Sequence, residues 1–276
     1  MRLVLSTHLF VNQRLTTATL DRVHRSGIGE VEIFCARQHL DYHNRSQIDE
    51  LRYWFRDSEM RVHSLHAPLF SDDVWGRSGP GSVISISEIS KPKRIAATDE
   101  IRRALEIADV IPFRYLIQHV GAADEEYDDA KIDAAFNSLD ELIVFGKQLG
   151  VEVLVENTPN ALSSAERLNQ LLQTTHLPLH FCFDTGHAHM GAGVASEFKK
   201  MKDRIRSTHV HDNDGVEDSH LFPKTSDGGT IDWEEAMKLL RTCPAGTPLL
   251  LELREVPGMA DPLGEVKRSF EQLESL

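Results

Sequence analysis

The stretch RSTHVHDNDGVEDSH, residues 206–220, holds His209, His211, Asp212, Asp214, Asp218 and His220. Imidazole exchanges protons near neutrality, and imidazole with carboxylate ligates divalent cations. A solvated acidic turn has the same composition, so this stretch alone leaves both readings open. The rest of the chain narrows the choice, because further groups of the same kind close other short apolar runs: His66, His119, Glu156, Asp184 and Glu252.

Those runs alternate with longer amphipathic ones from end to end. RLVLSTH, EVEIFCA, RVHSLHA, RYLIQHV, VEVLVEN, LHFCFDT, RSTHVHD and LLLELRE have the length and residue types of strands. SQIDELRYWFRDSE, AKIDAAFNSLDELIVFGKQLG and SSAERLNQLLQTT have helical spacing. Capping boxes are expected from Ser163 to Glu166 and from Asp232 to Glu235, with Gly150 as a helix stop. Eight β-then-α units in series predict an α/β fold: one closed (β/α)8 barrel, a TIM barrel, over residues 1–276 without a second core. The longest interruption, LFSDDVWGRSGPGSVISISEISKPKR after the third strand, would overhang the C-terminal mouth, where Trp75 could face a ligand. Its KPKR end reads as a solvated loop leading into the next helix.

Composition sets bounds. Net charge is −13, a field that repels polyanions, so nucleic acid is disfavoured as a partner. No apolar run approaches a membrane span, and MRLVLSTHLFVNQRL reads as a first strand and not as a signal peptide. Three scattered cysteines, Cys35, Cys182 and Cys243, form no C-x-x-C pair, which fits a reducing cytoplasm and argues against a disulfide framework or a cysteine-rich zinc site. No G-x-x-x-x-G-K-[ST] loop is present.

Strand parity orients the chemistry. In VEVLVE the valines share one face and Glu156 takes the other; in HFCFD, Phe181 and Phe183 face outward while Asp184 faces the barrel. Six ligand-type groups at strand C-terminal ends then converge where barrel enzymes build their sites. Buried charges must be paired or coordinated, and this donor set suits Zn, Mn, Fe or Co better than calcium.

The motifs SLHAP, QHVGA, VENTPN, CFDTGHAHMGAG, HVHDNDG…DSH and LLLELRE resemble the xylose-isomerase-like barrel superfamily, which includes sugar phosphate isomerase/epimerases and endonuclease IV. The resemblance runs through nearly the whole chain, most specifically in Asp184-x-x-His187 and His209-x-His211-Asp212. It implies an epimerase-type single metal site of Glu156, Asp184, His209 and Glu252. It also matches the larger endonuclease IV set, in which His66, His119 and Glu156 would hold one ion, the previous four a second, and His187, Asp218 and His220 a third. One to three divalent ions (Mn, Zn, Co or Mg) per chain are therefore expected, with His211, Asp212 and Asp214 shaping their loop.

By the same resemblance, Glu156 and Glu252 would be catalytic, one removing and one returning a proton on a ketose, inosose or related polyol, with His187 touching a substrate oxygen. A polyol dehydratase would begin in the same way. The alternatives are a multi-zinc phosphodiester hydrolase and a non-catalytic sugar-binding protein. Where relatives carry a PGEG-like turn before IDW, this chain has LFPKTSDGGTIDW. Lys224 in that segment, with Arg37 and Arg254, could contact an anionic substrate group. Barrel relatives often form homo-oligomers, and no patch in the sequence decides that here.

Overall fold

The computed structural model describes residues 1–256 and 258–276. Parallel strands β1 (Arg2–Ser6), β2 (Glu30–Phe34), β3 (Arg61–His66), β4 (Tyr115–His119), β5 (Glu152–Glu156), β6 (His180–Asp184), β7 (Ile205–His209) and β8 (Pro248–Leu251) run in the spatial order β7-β6-β5-β4-β3-β2-β1-β8. A parallel bridge between Val210 and Leu251 closes the ring. The architecture is the TIM barrel expected from the alternation, in one domain. Helices α1 (Thr17–Arg25), α2 (Arg45–Asp57), α3 (Lys91–Leu105), α4 (Asp129–Gln148), α5 (Ala165–Thr174), α6 (Thr185–Met190), α7 (Val194–Met201), α8 (Trp233–Leu240) and α9 (Pro262–Ser275) surround it. No helix among the described residues is long and apolar enough to cross a membrane.

Parity resolves into two apolar layers. Tyr115, Ile117, Leu154 and Cys182 form a small cluster inside the barrel, below the ends of β4, β5 and β6. Leu116, Val153, Val155, Phe181 and Phe183 belong instead to the large core between strands and helices. Phe183 meets Phe198 of α7 edge to face, with ring centroids 5.4 Å apart. Each buried aromatic of this kind contributes roughly 1.5–3 kcal/mol by leaving water, which fixes the outward face of β6 and so turns Asp184 inward.

Helix boundaries follow side-chain capping, with two departures from expectation. Asp232 caps α8 by accepting from Glu235 N, and Gly150 (φ 75°) follows the end of α4, both as read from the sequence. The cap of α5 is Ser164, not Ser163: Ser164 Oγ accepts from Arg167 N, while the buried Ser163 hydroxyl bonds within the preceding turn to Thr158 and Asn160. KPKR is the first turn of α3, because Pro92 fits an opening turn whose N–H groups need no helical partner.

The loop after β3 is ordered by its own pairing. Phe70 and Val83 form an antiparallel bridge, and Ile84 N donates to Leu69 O at 2.9 Å. Arg37 holds the loop from the β2 side, donating to Ser71 O at 3.0 Å and pairing with Asp73 at 2.8 Å. Trp75 turns in against Phe34 and His8, with centroids 5.2 and 5.7 Å away, and so forms an apolar wall at the mouth.

Candidate functional site

Register places the polar side chains. His119 lies beside Glu156 across β4 and β5, and Asp184 beside His209 across β6 and β7. Glu252 follows the last residue of β8. His66, Glu156, Asp184, His209 and Glu252 are buried, and His119 is nearly so. Thus all six strand-end residues converge.

The centre of the cluster is His209 Nδ1. It lies 3.1 Å from Glu156 Oε1, 3.3 Å from Glu252 Oε2 and 3.9 Å from Asp184 Oδ2. On one flank, His66 Nε2 and His119 Nε2 are 3.2 Å apart, and Glu156 Oε2 is 3.2 Å from His119. On the other flank, Asp218 Oδ2 lies 3.4 Å from His187 Nε2 and 3.2 Å from His220 Nε2. The residues of the three ion groupings implied by the resemblance are each brought together.

Backbone carbonyls fix the imidazoles. His66 Nδ1 contacts Ala67 O at 2.9 Å, His187 Nδ1 contacts Asn157 O at 3.0 Å, and His220 Nδ1 contacts Glu252 O at 3.0 Å. A carbonyl only accepts, so in each ring Nδ1 carries the proton and Nε2 turns a lone pair to the cluster when the ring is neutral. Asn157 also clamps Asp184, donating to its carbonyl and accepting from its N–H.

These groups fit a divalent cation. Glu156 Oε1, His209 Nδ1, Asp218 Oδ1 and Glu252 Oε1 are buried without a hydrogen-bond partner. Glu156 Oε1 and His209 Nδ1 lie 3.1 Å apart yet are misaligned for hydrogen bonding, as two donor atoms aimed at a common ion would be. Charge balance agrees. Burial alone would push the Glu156 carboxyl up, but His209, His119 and His187 outweigh it and hold it well below the usual carboxylate range. Burial would lower His187, but Asp184, Asp218 and Glu156 outweigh it and hold it well above the ordinary imidazole value. The carboxylates demand positive charge, and in the protein alone the imidazoles supply it.

Two members of the cluster were not read from the sequence as part of it. His211, expected to shape its loop, is fully buried with Nε2 3.1 Å from Asp184 Oδ1, and its ring stacks on His220 at 4.0 Å. The loop explains this. Asp212 and Leu221 pair as an antiparallel bridge, which folds His220 back beside His211. Asp212 and Asp214 do shape that loop: Asp212 accepts from Trp233 Nε1 and Ile231 N, and Asp214 from Val216 N and Glu217 N. The second is Glu32 of β2, buried against His209.

The His211 ring also requires Gly186. A Cβ there would lie 2.0 Å from His211 Cε1. Gly186→Ala is expected to displace the imidazole from Asp184, cost about 1–3 kcal/mol as overpacking, and lower the melting temperature by several degrees in a thermal scan.

Lys224 is exposed at a left-handed position (φ 65°), and Arg254 is exposed with its N–H given to His220 O. Arg37 is engaged by the loop after β3. A cavity of about 460 Å³ adjoins the cluster, lined by Asn157, Asn160, His187 and Met190. The larger groove, about 1230 Å³, lies at the opposite end of the strands beside Arg61 and Arg114, away from this chemistry.

A family model described as xylose isomerase-like TIM barrel matches residues 20–276. The chain belongs to that family. An uncharacterized protein of Sinorhizobium fredii is 25% identical to this xylose isomerase-like barrel over 225 residues, 75% of this chain and 71% of the relative. Two crystal structures share its fold. A D-tagatose 3-epimerase-like protein superposes with a TM-score of 0.76 at 22% identity, covering 100% of this chain and 99% of its own. The IOLI protein with a bound zinc atom gives a TM-score of 0.75 at 15% identity, covering 100% and 98%.

Proposed function

We propose that this xylose isomerase-like barrel is a divalent-cation-dependent isomerase or epimerase that moves a proton on an uncharged ketose, inosose or related polyol. The observation that carries the reading is the approach of Glu156 and Glu252 to His209 Nδ1, at 3.1 and 3.3 Å, each with one buried oxygen lacking a hydrogen-bond partner. Glu156, Asp184, His209 and Glu252 would hold the principal cation. When bound, such an ion polarises a carbonyl and its neighbouring hydroxyl. One of the two glutamates takes the proton from the carbon beside the carbonyl, and that bond pair moves toward the carbonyl oxygen. The other returns a proton, to the opposite face of the same carbon in an epimerase or to the neighbouring carbon in an isomerase. His187, held by Asn157 and Asp184, orients a substrate oxygen. Trp75 and Phe34 shield the mouth from water on the β1–β2 side.

Charge favours this reading over phosphoester chemistry. The segments following the strand C-terminal ends, residues 7–16, 35–44, 67–90, 120–128, 157–164, 185–193, 210–232 and 252–261, carry 17 Asp or Glu against 5 Lys or Arg, a net −12 of the chain's −13. A phosphate or DNA backbone approaching this mouth meets repulsion, whereas a neutral polyol does not. The names of the structural neighbours, a D-tagatose 3-epimerase-like protein among them, support the same substrate class. The competing multi-zinc hydrolase reading draws its support from the flanking groups His66–His119 and His187–Asp218–His220.

The deciding experiment incubates cation-loaded protein with a panel of free ketoses and inososes in deuterium oxide and follows carbon-bound deuterium by mass spectrometry. Incorporation with at least one of them is expected. Hydrolysis of a phosphodiester with no incorporation across the panel would overturn the isomerase assignment.

A further inference from the structure

Glu32 of β2 is a carboxylate with 0% exposure, one layer below the strand-end donors. Burying an ionised group is costly unless it is paired, so its neighbours define its task. Ser64 Oγ donates to Glu32 Oε2 at 2.7 Å. The other contact is His209, whose Nε2 lies 3.1 Å from Oε1 and 3.2 Å from Oε2. His209 thus stands between carboxylates, with Nε2 facing Glu32 and Nδ1 facing Glu156 and Glu252. An ionised carboxylate only accepts, so Glu32 requires a proton on Nε2, and in a neutral imidazole that leaves the Nδ1 lone pair directed at the cluster.

We propose that Glu32 is a positioning residue that fixes the Nε2–H tautomer and ring orientation of His209, making Nδ1 a pre-aligned and more basic donor to the principal cation. The inference rests on His209 being a ligand, as read above. His66, His187 and His220 have backbone carbonyls behind them, whereas His209 has a charged partner. A carboxylate behind a ligating imidazole raises its basicity and commonly changes metal affinity by ~10–100-fold. Ser64 completes the support by holding Glu32 from the neighbouring strand.

The test uses full-length protein stripped with chelator and titrated with Co²⁺, read by visible ligand-field absorption and by competition with a chromophoric chelator. Wild type, Glu32→Gln, Glu32→Asp and Ser64→Ala are compared, and each cation-free melting temperature is recorded. Glu32→Gln is expected to weaken Co²⁺ binding by ~10–100-fold and to alter the absorption band, Glu32→Asp to recover part of the loss, and Ser64→Ala to lose a few-fold. Co²⁺ affinity and spectrum within twofold of wild type in Glu32→Gln would overturn the assignment. A lower cation-free melting temperature with unchanged affinity would overturn it too, since that marks a purely structural carboxylate. Should Glu32→Gln fail to fold, Ser64→Ala and Glu32→Asp decide, with unchanged affinity in both counting against the proposal. Weakened Co²⁺ binding by Glu32→Gln in a protein that exchanges no ketose proton upholds Glu32 while refuting the isomerase reading. Absence of Co²⁺ binding by wild type overturns both.

Discussion

Glu156→Gln is expected to reduce deuterium incorporation into an accepted ketose by about 10²–10⁴-fold or more, the range over which a positioned acid or base accelerates proton transfer. The amide matches the carboxylate in shape, so the fully buried position gains no cavity, and the circular dichroism spectrum should match wild type. The effect is large because the residue acts twice. One oxygen faces His119, and the other faces His209 and His187, so the same side chain joins two of the three ion groupings and is a candidate base. Glu252→Gln should be similarly inactive, while keeping the His66–His119–Glu156 group. Near-normal exchange by either variant on an identified substrate would refute the two-carboxylate assignment.

Cation loading is expected to raise the melting temperature by roughly 10 °C. A ligand at a thousand times its dissociation constant adds about 4 kcal/mol, and each kcal/mol moves the midpoint of a barrel this size by ~2–4 °C. Zn²⁺, Mn²⁺ and Co²⁺ added to stripped protein and followed by differential scanning fluorimetry should give this shift, and EDTA should reverse it. No shift with any of them would remove the metal reading. The pH dependence has a defined sign. Burial lowers His187 and His209, but Asp184, Asp218 and Glu156 at the first and Cys182, Glu252, Glu156 and Glu32 at the second outweigh it, so both rings hold their protons to higher pH than an ordinary imidazole in cation-free protein. Their contribution to the cation-free fold is present at low pH and fades as pH rises through the elevated folded values. Cations must displace those protons, so affinity and the thermal shift should both grow with pH, with proton release measurable by calorimetry in buffers of different ionisation enthalpy. Elemental analysis of the Asp218→Ala, His220→Ala double variant should show one ion fewer than wild type if the outer group is filled.

The barrel and the convergence of its six strand-end side chains were legible because both depend on local regularities. The β/α alternation survives in a single sequence, and period-two parity assigns Glu156 and Asp184 to the inside from their own apolar neighbours. Glu32 was hidden because EVEIF carries Glu30 at the same parity, and Glu30 ends in a surface pair with Arg2. Only the closed ring reveals that Glu32 meets His209, 177 positions away. The burial of His211 against Asp184 was hidden for a related reason: its place depends on the Asp212–Leu221 bridge and on the space left by Gly186, both products of tertiary folding. Arg37, picked for an anionic substrate, instead meets Asp73 on a loop whose folding the sequence did not show.

The seam that closes the barrel has a mechanical meaning. Among the described residues, β7 and β8 are joined by one bridge, Val210–Leu251, just past the end of β7; below it, the Thr208 hydroxyl stands in for a backbone partner, donating to Pro248 O at 3.0 Å and accepting from Leu250 N at 3.4 Å. His209 ends one side of this seam, and Glu252 begins just past the other. An ion gripping both is therefore a cross-link over the least laddered joint of the cylinder. Amides of 208–210 and 250–252 should exchange with solvent more slowly once it is in place, so that filling the site also fastens the wall.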